Sequence, residues 1–165
     1  MKTLIAVTVG LGLLLAACSF PPPKPIQTPV ASQTPTPNTG LKITQPIEGG
    51  KVDQTEMVKG TSQRIPDGHV IWVVLFVQKV GRYYPQNQPA DIQANGDWAS
   101  VTYIGVPKDV GLKFDILAVS ADKEGQNALN RYLVNARDRS DYAGLERLPN
   151  GVAIYDRVSV TRKQS

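Results

Sequence analysis

Residues 70–77, Val70-Ile71-Trp72-Val73-Val74-Leu75-Phe76-Val77, are apolar at every position and rich in β-branched and aromatic side chains. Turn signals bound the run, Asp67-Gly68 before it and Lys79-Val80-Gly81-Arg82 after it. A run of this kind predicts a central strand. Side chains alternate between the faces of a strand. Ile71, Val73, Leu75 and Val77 therefore share one face, and Val70, Trp72, Val74 and Phe76 the other. A strand with one face in water would alternate with polar residues, so a further layer is expected to cover this one.

Shorter runs surround it. Residues 41–44 and 55–60 predict two early strands, the first kinked by Pro46 and Gly49-Gly50. Residues 83–86 and 90–93 predict edge strands, because Pro85 and Pro89 have no N–H to give a central ladder. Asn95-Gly96 predicts a hairpin turn with positive φ at both central positions, leading into a strand over 97–104. Further strands are expected over 112–121 and 151–161, the last alternating Val152, Ile154, Val158 and Val160 with polar neighbours.

The period changes once. Leu129, Tyr132, Leu133 and Ala136 fall at i, i+3, i+4 and i+7, which predicts a helix over 125–142 with one apolar face. This helix is the expected cover for the second face of the central strand. About seven short strands with turns between them predict an antiparallel β-sandwich, with the helix inserted before the last strand.

The N-terminal part is different. Residues 19–40 hold seven of the 13 prolines, spaced by Thr, Ser, Gln and Asn. Proline fixes φ and lacks an N–H, so an extended linker is expected, with a reach of at most roughly 70 Å at ~3.1 Å per residue. Before it, Lys2 precedes an apolar run of 14 residues, 4–17. That is short of the ~20 residues that span a bilayer. A positive start, an apolar middle and small residues at the end form the layout of a secretory signal. The expected divisions are a signal at 1–17, Cys18 with its linker at 18–40, and a folded domain at 41–165.

Leu15-Ala16-Ala17-Cys18 resembles the lipobox of bacterial lipoproteins. The resemblance implies cleavage after Ala17, diacylation of the Cys18 thiol and acylation of the new amine. The membrane would then be a partner through the lipid, with the domain outside the cytoplasm. Ser19 stands where a retention Asp would be, a pattern similar to that sorted to the outer membrane of diderm bacteria. In a cell with one membrane the protein would sit on its outer face.

A second resemblance lies in the domain. Ile43-Thr44-Gln45-Pro46 with Gly49-Gly50 and Val52, then Val58-Lys59-Gly60, and later Asn95-Gly96-Asp97-Trp98, resemble bacterial immunoglobulin-like and fibronectin-III-like modules. The likeness covers 41–121. It implies an immunoglobulin-like sandwich, and modules of that kind act as binders, stalks or spacers.

Charge and chemistry narrow the function. Without the signal and its one lysine, seventeen basic side chains face fourteen acidic ones, a formal charge of +3. No clustered basic face is evident, so nucleic acid is not an expected partner. Residues 122–147 carry five basic and five acidic side chains, which gives the helical insertion no net charge. Cys18 is the only cysteine, so no disulfide is expected within the chain. His69 is the only histidine and reads as a rim residue beside a turn. The alternation Asp91-x-Gln93-x-Asn95-Gly96-Asp97 is partly that of a calcium loop, but Gln93 is a weak ligand and Thr102 occupies the place of the bidentate Glu. A hairpin turn accounts for it more simply.

No phosphate loop, nucleophile elbow or zinc-binding motif occurs. No catalytic residue, metal or cofactor is therefore expected. The candidate interaction surface is the edge strand with Arg82, Tyr83, Tyr84 and Gln86, or the insertion with Arg131 and Arg137. Arg and Tyr are common interface hot spots. The expected role is non-catalytic binding or scaffolding, with an envelope protein or glycan as partner. Two alternatives stand beside it. One is an enzyme acting on glycans through an acidic pair. The other is a purely structural spacer.

Overall fold

The computed structural model describes residues 40–164. Cys18, the signal and the proline-rich segment lie outside the described residues. The elements in order are β1 (Lys42–Gln45), β2 (Lys51–Val52), β3 (Thr55–Thr61), β4 (Val70–Val77), β5 (Arg82–Pro85), β6 (Asp91–Ile92), β7 (Asp97–Tyr103), β8 (Lys113–Ala121), α1 (Lys123–Arg139) and β9 (Val152–Arg162).

The strands form two sheets, ordered β1-β3-β7-β6 and β2-β9-β8-β4-β5. The first corresponds to the ABED sheet of an immunoglobulin-type sandwich, and β4, β8 and β9 to its C, F and G strands. All pairings are antiparallel except that of β2 with β9. The expected sandwich, with its helix before the last strand, is the observed fold.

β4 is central and buried on both faces, for two different reasons. Ile71, Val73 and Leu75 meet Phe114, Ile116 and Val58 between the sheets. Trp72 and Val74, with Leu117 and Val119, lie under Leu129 and Leu133 of α1. The helix is thus a third layer. Asp122 starts it by accepting the Gly125 N–H at 2.8 Å, a cap that contributes ~1 kcal/mol. Ser140 ends it in the left-handed region at φ 51°, its N–H turned back to the Ala136 and Arg137 carbonyls. These two residues place the helix at Lys123–Arg139 rather than over 125–142. Replacing the fully buried Leu129 by alanine is expected to cost ~2–3 kcal/mol, read from the urea midpoint. Hydrogen-exchange protection should fall first in α1, because the sandwich core does not depend on it.

Three further features depart from the expectations. β2 was not foreseen, since two residues show no period. It forms because the chain crosses from one sheet edge to the other at Gly49-Gly50, and Thr161 donates to the Gly50 carbonyl at 2.9 Å. The hairpin before β7 is not the two-residue kind. Gly96 alone has positive φ, 88°, and its N–H closes a turn onto Gln93 at 2.9 Å. Asn95 instead uses its side chain, accepting the Asp97 N–H at 3.0 Å. Finally, β9 shifts register so that Ala118 pairs with Asp156 and Val119 with Ile154, leaving Tyr155 as an extra residue. The bulge sends Val152 and Ile154 to the helix side and Val158 and Val160 into the sandwich.

Candidate functional site: a groove at one end of the sandwich

A groove of about 810 Å³ opens where β4 ends, β8 begins and β7 leaves its sheet. Its floor is Leu75, Val77, Leu112 and Phe114. Val77 and Phe114 are cross-strand partners, so the floor is the exposed end of the inter-sheet core. Tyr84 and Gln86 form one wall, Tyr103 another, and Tyr132 and Tyr142 extend it toward the end of α1. A pocket of this size is in the range that takes small ligands or a peptide side chain.

The mouth is unusually apolar. Val80, Tyr103, Val106 and Tyr142 are exposed by 54%, 52%, 46% and 57%, and all four line the groove. Large apolar side chains scattered singly over a surface need no explanation, but a cluster around a cavity marks an interaction site. Lys79 and Lys108 stand on the rim, and neither makes an ion pair among the described residues. Asp109 lines the groove too, but its Oδ2 accepts the Val106 N–H at 2.8 Å.

Of the sequence-derived candidates, Tyr84 and Gln86 line this groove. Tyr84 is half-buried, its ring packed against Gly144, where an added Cβ would lie 2.7 Å from Cζ. Gln86 is buried, and both its side chain and its backbone are tied to neighbouring segments. Its Oε1 accepts the Tyr103 N–H at 2.7 Å, and its carbonyl accepts the Trp72 ring N–H at 2.7 Å. It positions the walls, and its Nε2 donates to the Tyr84 carbonyl at 3.4 Å. Tyr83 points to the opposite face of β5 and packs on Phe76, ring centroids 4.8 Å apart. Its backbone pairs with Leu145 in both directions, at 2.9 and 2.8 Å, which closes the free edge of β5 there. Arg82 is paired with Glu146 at 3.1 Å. Arg131 and Arg137 are exposed on α1 and do not line the groove. Of the two alternative surfaces, the groove includes the edge through Tyr84 and Gln86 and leaves the two arginines of the insertion outside it.

Tyr132 lies at the helix end of the groove. Burial pushes its hydroxyl above the ordinary tyrosine pKa, and the Gly144 N–H approaches it without closing a full hydrogen bond. The residues that sequence reasoning missed are Tyr103, Tyr142, Lys79 and Lys108. Tyr103 was legible in part. Trp98, Ser100 and Thr102 alternate inward along β7, so Tyr103 falls on the outward phase.

Other polar groups are engaged in the fold. His69 Nδ1 lies 3.0 Å from Ser120 Oγ, the partnership a serine nucleophile needs, but Ser120 is only 1% exposed and no substrate reaches it. The buried Asp115 accepts from Gln78 and from Ser159 Oγ, both at 2.7 Å, with Arg157 3.6 Å away. No family model matches the chain, and no curated protein matches it.

Proposed function

We propose that this protein is a lipid-anchored component of a bacterial cell envelope, held by acylated Cys18, whose immunoglobulin-like domain is a non-catalytic binding module. The groove between Tyr84 and Tyr103 is its binding site. The observation that carries this reading is the set of four exposed apolar side chains gathered at the mouth of one cavity. Tyrosines there offer large, stiff contact area with a polar tip. A glycan-cleaving alternative needs two facing carboxylates. Among the described residues Asp109 is the one carboxylate lining the groove, and a backbone N–H already occupies it.

The test is cross-linking and capture from intact envelopes with the full-length lipoprotein, wild type against Tyr103→Ser/Tyr142→Ser. Both side chains are more than half exposed, so the urea midpoint should hold. Two interface tyrosines lost together should reduce capture by about tenfold or more. Unchanged capture by the folded variant would remove the groove as the site.

A further inference from the structure

We infer that the groove takes an acidic peptide, an extended segment with one apolar or aromatic anchor side chain flanked by Asp, Glu or a terminal carboxylate. This rests on the reading of the groove as a binding site and names its ligand class. The floor supplies the first half of the argument. Leu75, Val77, Leu112 and Phe114 carry no polar side-chain atom. The amide of Gln86, the polar group beside them, is held by Tyr103 and Tyr84 backbone groups at 2.7 and 3.4 Å. A sugar ring lowered onto this floor would lose water from the hydroxyls on that face and find partners only on the walls, at Asn87 and the tyrosine hydroxyls, which is unfavourable for the floor itself. An apolar side chain has no hydrogen bonds to water to give up, and burying its surface there is favourable.

Charge supplies the second half. Lys79 comes from the turn after β4 and Lys108 from the crossover after β7, so the two ammonium groups flank the mouth from different segments. Neither has a carboxylate partner among the described residues. The groove's own carboxylate, Asp109, is turned onto the Val106 N–H. Asp141 is near enough to act on Tyr132 but does not line the groove. With Lys79 and Lys108 against the one carboxylate of Asp109, the mouth is apolar in the middle and net positive at the rim, and the complementary ligand is apolar in the middle and negative at its flanks. The chain's own proline-rich segment does not fit this rule, because Lys24 in Pro21-Pro22-Pro23-Lys24-Pro25 has the sign of the rim.

The test is a selection from a random displayed peptide library on the full-length lipoprotein in detergent micelles. Recovered peptides are then titrated by fluorescence anisotropy against wild type, Lys79→Glu/Lys108→Glu and Tyr103→Ser/Tyr142→Ser. The expected winners carry an apolar anchor between acidic residues. Their affinity should fall about tenfold in the lysine variant. It should also fall severalfold at high salt. Lysine-flanked versions of the same peptides should regain affinity for the charge-reversed variant, which a merely structural role of the lysines would not produce. Uncharged or basic winners that still need Tyr103 and Tyr142 would overturn the acidic class and leave the groove reading standing. Winners indifferent to both variants, or none at all, would overturn both. Displacement of the peptides by oligogalacturonate at comparable concentration would move the ligand to the acidic glycans and overturn the peptide.

Discussion

Replacing Cys18 by serine is expected to abolish palmitate incorporation and move the full-length protein from the membrane pellet to the soluble fraction. The effect is close to all-or-none for a physical reason. Each buried CH₂ contributes ~0.8 kcal/mol, so two or three acyl chains hold a protein against dilution where one chain holds it only marginally. No helix among the described residues is long and apolar enough to cross a membrane. Retention of the serine variant in the pellet after a high-salt wash would sink the lipoprotein reading. The same variant separates anchor from groove. It should bind the selected peptides as wild type does, because the floor and rim residues belong to the folded domain and not to the segment before it.

Much of the fold was legible because burial writes itself into the chain at fixed periods. The two-faced apolar run of β4 demanded cover on both sides, and the i, i+3, i+4, i+7 spacing of Leu129 to Ala136 supplied the second cover. What escaped was set by single residues rather than by periods. Tyr155 bulges β9 and divides its valines between two cores, although the pattern of apolar positions alone is the same for one face. Asp122 and Ser140 set the helix ends through one side-chain acceptor and one left-handed residue.

The site was less legible than the fold. A groove at the end of a sandwich is made by residues from turns, strand ends and the end of a helix. Lys79, Tyr103, Lys108 and Tyr142 come together only through topology. The aromatic pair Tyr83-Tyr84 drew attention for its chemistry, yet strand alternation sends only Tyr84 to the groove and leaves Tyr83 against Phe76. Gln86 illustrates the limit most clearly. Its exposed-looking sequence context, between Pro85 and Asn87, conceals a buried amide that ties β5 to β7.

The two motifs that suggested an immunoglobulin-like module meet at one point, and this yields the largest stability effect expected. Gly60 of Val58-Lys59-Gly60 is the cross-strand partner of Trp98 of Gly96-Asp97-Trp98. The indole, 2% exposed, lies across the glycine in the space a side chain would fill. Its ring N–H has no hydrogen-bond partner among the described residues, so packing fixes the ring. A Cβ added at Gly60 would fall well inside van der Waals contact of both the Trp98 ring and the Lys42 carbonyl. The backbone oxygen belongs to the neighbouring strand and cannot turn away. Gly60→Ala is therefore expected to cost ~4 kcal/mol, beyond the usual range for overpacking, read from the urea midpoint at unchanged slope. Gly49→Ala is the comparison. Nothing lies within 4 Å of its added Cβ, but its φ is 72°, so only the backbone term of ~1 kcal/mol should appear. In a Gly60→Ala background, Trp98→Leu should cost less than it does alone, because a smaller side chain relieves one of the two clashes while the Lys42 carbonyl remains. Strict additivity of the two substitutions would show that the ring and the glycine are not packed as described.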